Sequence, residues 1–137
     1  MKIKRLNATI CSDCLTVVEF LDSISGKRKS SNMKDAISHL KRSHDWSKKI
    51  FNGEDGKPTE IPEGKNSYSK NIELAEKMIY DSIEKCSSMI SRLNEVPNEI
   101  SDNAQRSANI VFYHLNEAFF SLAEEQNRIR KPQNKSK

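Results

Sequence analysis

Two cysteines and two histidines lie in the first third of this chain at spacings that suit one metal ion. Cys11 and Cys14 are separated by two residues, and His39 and His44 follow on a segment with helical character. Thiolate and imidazole are ligands that zinc prefers, and a structural zinc site fills all four positions with protein. The spacing therefore predicts a structural Zn²⁺ site formed by these four residues, around which the first part of the chain folds.

The composition of the 137-residue chain limits how much of it can share one large core. Hydrophobic residues make up 35% of the chain and charged residues 31%, so we expect small or elongated parts. No apolar run reaches the roughly 18 residues that a membrane-spanning helix needs, which predicts no membrane association. The three cysteines, an odd number, are typical of reduced thiols, so we expect an intracellular protein, cytoplasmic or nuclear.

The sequence divides into two parts joined by a glycine- and proline-rich segment. In the first part, residues 1–50, the β-branched and aromatic residues of 9–21 predict a strand hairpin with the cysteine pair at its turn. A helix over about residues 33–44 follows, with Asn32 as its N-cap. We predict a flexible linker over residues 51–65, a helical hairpin over 66–131 and a disordered basic tail over 132–137.

Two runs of helical periodicity predict the hairpin. The first seam consists of Ile79, Ile83, Cys86, Ile90 and Leu93, and the second of Ala104, Ala108, Val111, Leu115, Ala118, Leu122 and Ile129. Glu125 takes one position of the second seam, where an apolar residue is the rule. We expect Cys86 to act as a small hydrophobic core residue and His114 to lie at the edge of the seam.

Four aromatic residues beside the second seam exceed what one partner helix covers. They are Phe112, Tyr113, Phe119 and Phe120. A two-helix hairpin is marginal alone, so the pattern predicts either a homodimer that completes a four-helix bundle or a different protein that docks on this face.

Positive charge is concentrated in the first part of the chain. Residues 1–50 hold 11 Lys and Arg against 5 Asp and Glu, an excess of six, whereas residues 51–137 hold 12 against 14. Such a distribution favours a polyanion as partner, although a solvated basic surface with no partner has the same composition. The candidate phosphate-contacting residues are Lys27, Arg28, Lys29, Lys34, Lys41, Arg42, Lys48 and Lys49.

The first part resembles the BED-type finger, a two-Cys, two-His zinc finger, over about residues 7–48. The resemblance rests on the Cys-x2-Cys pair, a long spacer, and the run Ala36-Ile37-Ser38-His39-Leu40 ahead of His44. It implies a ββα module whose helix enters the major groove of duplex DNA. It also implies base-facing positions, which fall on Asn32, Asp35 and Ser38.

The sequence shows no pattern of an enzyme. It contains no nucleophile elbow, no glycine-rich phosphate loop and no Glu beside a candidate metal-ligating His. Two functions remain. The first is a zinc-finger regulatory protein that binds nucleic acid, chiefly duplex DNA, and dimerises through the hairpin. The alternative is a protein-binding adaptor or inhibitor in which zinc is purely structural and the hairpin grips a partner protein.

Overall fold

Four α-helices account for nearly all of the chain that the computed structural model describes, which is residues 2–50, 65–95 and 98–130. They are α1 (Lys2–Ser25), α2 (Ser31–Ile50), α3 (Tyr68–Leu93) and α4 (Asn98–Arg130). The mainly helical class is therefore confirmed. The ββα module is wrong, because these ranges contain no strand and the predicted strand hairpin over 9–21 lies wholly within α1.

The helices pack as a four-helix bundle in which every adjacent pair is antiparallel. α1 and α4 each pack against both α2 and α3, and they face each other across the diagonal. Asn7 near the start of α1 contacts Ser47 near the end of α2. Glu125 near the end of α4 contacts both Asn32 at the start of α2 and Tyr68 at the start of α3. These contacts fix the directions of the four helices. The C-terminus of α2 and the N-terminus of α3 consequently lie at opposite ends of the bundle, which is the topology of bundles with a long crossover connection.

One apolar core spans both parts of the chain. Its buried members come from all four helices, and those with fully buried large side chains include Phe20, Leu40, Ile79 and Leu115. The predicted hairpin is present as α3 and α4, but α1 and α2 of the same chain cover its apolar face. A second copy is not needed to complete the bundle, so dimerisation stays a prediction without that structural reason. The proposed linker over residues 51–65 and the tail over 132–137 lie outside the described residues, apart from Lys65.

The two predicted seams agree with the observed burial to different degrees. Every member of the α4 seam from Ala104 to Leu122 is buried. On α3 the buried line includes Ile79, Cys86 and Leu93, as predicted, whereas Ile83 and Ile90 are half-buried at its edges. Cys86 is a core residue, and burial raises the pKa of its thiol to about 12.

Local capping explains where α1 ends and α2 begins. Gly26 follows α1 with a φ of 65°, a left-handed conformation that favours glycine, and its N–H donates to the Asp22 carbonyl at 3.3 Å. The Ser30 hydroxyl then accepts a hydrogen bond from the Met33 N–H at 3.1 Å. Ser30 rather than the predicted Asn32 therefore caps α2.

A buried carboxylate joins three helices at one end of the bundle. Glu125 of α4 is fully buried and accepts hydrogen bonds from Arg128 at 2.8 and 2.7 Å and from the Tyr68 hydroxyl at 2.8 Å. Asn32 Nδ2 donates to the same carboxylate at 3.4 Å. The Arg128 hydrogen bonds are the largest cause that lowers the pKa of Glu125 to about 2, so the group stays ionised despite its burial.

The position of Glu125 suits a negative charge. It lies beside the first residues of α2 and α3, and the N-termini of helices carry partial positive charge. The one polar residue in the predicted α4 seam thus connects helices and does not disrupt their packing.

In the described ranges, no helix is long and apolar enough to cross a membrane.

Candidate functional site

A basic groove runs between the end of α1, the connection after it and the outer face of α2. Its volume is about 500 Å³. The lining residues are Asp22, Lys29, Lys34, Ile37, Ser38, Lys41 and Arg42. Four of these seven residues are cationic and one is acidic, so the groove is a candidate site for an anionic ligand.

The helical repeat of α2 aligns the cations of the groove. Lys34, Ser38 and Lys41 follow each other by four and three residues, which places them on one face of a helix. Lys34, Lys41 and Arg42 are exposed, and none of them forms an ion pair with another residue of the described ranges. Their charge is available to a ligand.

Lys29 differs from the other cations because its ammonium is already engaged. It donates to the Gly26 carbonyl at 2.7 Å and forms an ion pair with Asp22 at 3.3 Å. This contact fixes the connection between α1 and α2 at the edge of the groove.

Lys27 and Arg28 of the same connection are exposed. Five of the eight predicted phosphate-contacting residues therefore lie in or beside this groove without an ion pair in the described structure. Lys48 and Lys49 are not among the residues that line it.

The base-facing residues implied by the finger resemblance do not act as one set. Asp35 and Ser38 are exposed on α2, but Asn32 is half-buried and bonded to Glu125. A helix that reads bases needs its readout residues free on one side. Asn32 does not meet this requirement, because its side chain is bonded to Glu125.

The predicted metal ligands separate into two places. Cys11 of α1 and His44 of α2 are both buried, with 3.2 Å between Sγ and Nδ1, and His44 Nδ1 also lies 3.1 Å from the Cys11 carbonyl oxygen. Cys14 is buried on the same helix, and desolvation, followed by the neighbouring Cys11, raises the pKa of its thiol.

His39 belongs to a different contact. Its Nδ1 lies 2.9 Å from Nδ1 of His114 on α4, and its ring meets Tyr113 edge-on with 6.4 Å between centroids. In the described residues, no cluster of three or more His, Cys, Asp or Glu side chains is arranged to hold a metal ion. The four predicted ligands thus do not fit one tetrahedral site here, and zinc binding stays a prediction from the sequence.

Removal of metal tests whether the first part of the chain depends on zinc. We expect dialysis against EDTA to shift the melting temperature by less than about 2 °C, because α1 and α2 pack through apolar side chains into the common core. Far-UV circular dichroism with thermal unfolding measures this. Loss of a cooperative transition after chelation would instead show metal-nucleated folding.

The predicted partner-binding aromatics are unequally exposed. Phe112 and Phe119 are half-buried against the core, whereas Tyr113 and Phe120 are 55% and 58% exposed. Tyr80 of α3 is also exposed and lies near Phe119, with 6.4 Å between ring centroids. The outer surface of α4 therefore carries apolar area that the bundle does not use.

His114 is the residue that sequence reasoning placed least well. It is only 8% exposed and lies inside the α2–α4 interface, where burial and then the charge of His39 lower its pKa. Its partner is 75 residues away in the chain. The only local signal was its position one residue before Leu115 of the seam.

These features define the class of protein: a single-chain four-helix bundle with a basic groove on α2. No family model, curated protein or solved structure matches the chain.

Proposed function

We propose that the protein binds nucleic acid through the basic groove of α2. The observation that carries the proposal is the set of exposed cations, Lys34, Lys41 and Arg42, that have no ion-pair partner in the described structure and face the same groove. Binding of cations to a polyanion releases condensed counterions, which makes such a surface favour nucleic acid over small anions.

The geometry of α2 supports contact with several successive phosphates. From Lys34 to Lys41 the helix advances by about 10 Å at ~1.5 Å per residue. A strand of duplex DNA rises about 3.4 Å per phosphate, so this length corresponds to roughly three phosphates. Lys27 and Arg28 extend the surface beyond the N-terminus of α2. Contacts of this type position a nucleic acid without reading its sequence.

Fluorescence anisotropy with labelled random-sequence duplex DNA tests the proposal. If about four phosphates are neutralised, we expect affinity to fall about 100-fold between 50 and 200 mM salt. The same titration with single-stranded DNA and with duplex RNA identifies the preferred form. Absence of binding to all three at 50 mM salt would contradict the proposal.

A matched double substitution on another face of the bundle distinguishes binding in the groove from non-specific binding elsewhere on the protein. The double variant Tyr113→Ala and Phe120→Ala removes exposed apolar area from α4 and leaves the groove unchanged. Its affinity for nucleic acid should equal that of the parent protein. A large loss would place the nucleic acid on α4 instead.

The exposure of Tyr113 and Phe120 favours a second candidate function, the binding of another protein. Aromatic residues are enriched at the centres of protein interfaces. Under this function the same double variant loses partner binding, while charge changes in the groove have little effect. The two functions therefore predict opposite results for the α4 double variant and for charge changes in the groove.

A further inference from the structure

The outer face of α4 carries a stripe of exposed residues on the side of the helix opposite the core. Its members follow each other by three and four positions, which places them on one face of a helix. They are Arg106, Asn109, Tyr113, Asn116, Phe120 and Glu124. The four members between the two ends are uncharged, and two of them are aromatic, although 31% of the chain is charged. A helix face that meets only solvent is rich in charged residues, so this stripe suits contact with another helix.

The stripe is self-complementary when two copies of it run in opposite directions. Its cation stands at one end and its anion at the other, and the two aromatic residues lie between them. In an antiparallel pair of α4 helices with a two-fold axis midway between Tyr113 and Phe120, Tyr113 of one copy faces Phe120 of the other. Arg106 then lies within about one helical turn of Glu124 on the other copy. Both ends of the contact therefore bring opposite charges together.

A parallel pair of α4 helices lacks this complementarity. It places the two Arg106 side chains beside each other and the two Glu124 side chains beside each other, and like charges across a helix interface repel. The antiparallel pair also brings the two Asn116 side chains close to the two-fold axis. An asparagine in a helix interface selects one alignment at a cost in stability. The order of residues in the stripe thus favours the antiparallel orientation.

We propose that a second copy of this chain covers the outer face of α4, through an antiparallel α4–α4 contact about a two-fold axis. This contact differs from the dimer that the sequence predicts, because the core of each copy is complete without it. A two-fold contact uses the same surface on both copies, so association stops at two. Phe112 and Phe119, which are half-buried beside the stripe, add apolar area at its edge.

The layout of the stripe sets the strength that we expect of the contact. Its aromatic residues lie near the centre and its charges at the rim, as in other protein interfaces. From Arg106 to Glu124 the helix extends about 27 Å. A contact of one helix from each copy is at the small end of the range for specific interfaces, so we expect a dissociation constant in the micromolar range.

The dimer does not rest on the proposed function of the groove. α1 lies diagonally across the bundle from α4, so a dimer through the outer face of α4 leaves the groove between α1 and α2 open. A short duplex that fills one groove therefore binds the monomeric α4 double variant as tightly as it binds the parent protein. Loss of nucleic-acid binding and loss of dimerisation are consequently separate results.

Sedimentation equilibrium of the full chain at concentrations up to about 100 µM tests the dimer. The mass should rise from 15.7 kDa toward twice that value. The double variant Tyr113→Ala and Phe120→Ala should raise the dissociation constant at least about 100-fold, because each change removes two contacts from the dimer. Tyr80→Ala, which removes a similarly exposed ring from α3, should change it by less than about threefold. A monomeric parent protein, or equal effects of the double variant and Tyr80→Ala, would overturn the proposal.

A charge exchange along the stripe tests the pairing of its two ends. Arg106→Glu should weaken the dimer by about tenfold, because it brings like charges together at both ends. Addition of Glu124→Arg to the same chain should restore the affinity, because opposite charges then meet again. Arg92→Glu, an exposed position on α3 with the same change in net charge, should leave the dimer unchanged. Failure of the second substitution to restore the affinity would contradict the antiparallel contact.

Disulfide formation under mild oxidation distinguishes the antiparallel orientation from the parallel one. In the antiparallel dimer residue 116 lies beside the two-fold axis, so Asn116→Cys should form a covalent dimer. The two copies of residue 109 are about 22 Å apart along the axis, so Asn109→Cys should not. Both positions are exposed, and the parent protein, whose cysteines are buried, serves as the control. Covalent dimers of both variants would indicate a parallel pair and overturn the proposal.

Discussion

Replacement of Glu125 by Gln is expected to lower the free energy of unfolding at pH 7 by about 3 kcal/mol. The pKa of this carboxyl falls from an ordinary value of 4.5 to about 2 in the folded protein, and each unit corresponds to about 1.4 kcal/mol. Gln presents an amide N–H₂ to a site in which Arg128, Tyr68 and Asn32 all donate. One donor is then left facing another in a buried position. Urea denaturation measures the loss.

The same group gives the wild-type protein a defined sensitivity to acid. Because the folded pKa of Glu125 is depressed, its contribution is fully present above pH 4.5 and is lost as the pH falls toward 2. The Glu125→Gln variant should lack this component between those two pH values. Glu124→Gln, at the exposed neighbouring position, serves as the control and should change neither quantity by more than about 0.5 kcal/mol. Equal stability of the two variants would contradict the role given to Glu125.

Reversal of three charges in the groove is expected to weaken nucleic-acid binding by at least about 100-fold at 50 mM salt. The variant combines Lys34→Glu, Lys41→Glu and Arg42→Glu, which removes three phosphate contacts and adds repulsion. The slope of log affinity against log salt is negative, and its magnitude should decrease by about three, one for each lost phosphate contact. All three positions are exposed, so the fold should be retained.

A control with the same change in net charge isolates the groove from the charge of the whole protein. Lys77, Arg92 and Arg106 are exposed on α3 and α4 and form no ion pair within the described ranges. Their triple replacement by Glu also changes the net charge by six. We expect at most about a tenfold loss, from long-range electrostatics alone. Equal losses in the two triple variants would show that no particular surface binds the nucleic acid.

The helices of the second part of the chain could be predicted from the sequence, whereas α1 could not, and the reason is physical. The α4 seam is a long periodic pattern, and Val111, Leu115 and Leu122 were correctly placed in the core. In α1, Val17 and Val18 favour a strand by intrinsic preference, yet both are buried in a helix that packs on two neighbours. Burial in a bundle outweighs the few tenths of a kcal/mol by which β-branched residues disfavour a helix.

The spacing of Cys11 and Cys14 has two structural explanations that the sequence does not separate. Two residues between cysteines suit a metal-binding turn, but a separation of three positions also places both side chains on one face of a helix. In the structure both thiols are buried in the bundle. The sequence shows the concentration of positive charge in residues 1–50, but not the groove that packing of α1 against α2 forms. The His39–His114 contact likewise depends on helix packing between distant segments, which no local pattern reports.

The polar contacts between α2 and α4 also determine how the two helices are aligned. Asn32 meets Glu125, His39 meets His114 and the Ser43 hydroxyl donates to the Val111 carbonyl at 3.3 Å. The hydrophobic effect is non-directional, so apolar burial alone distinguishes less sharply than hydrogen bonds do between this alignment and one shifted by a turn, about 5.4 Å. Such a shift would break all three contacts at once and leave buried polar groups unpaired. These residues thereby select one register for the bundle, so the cations of α2 are held at a fixed height relative to α4.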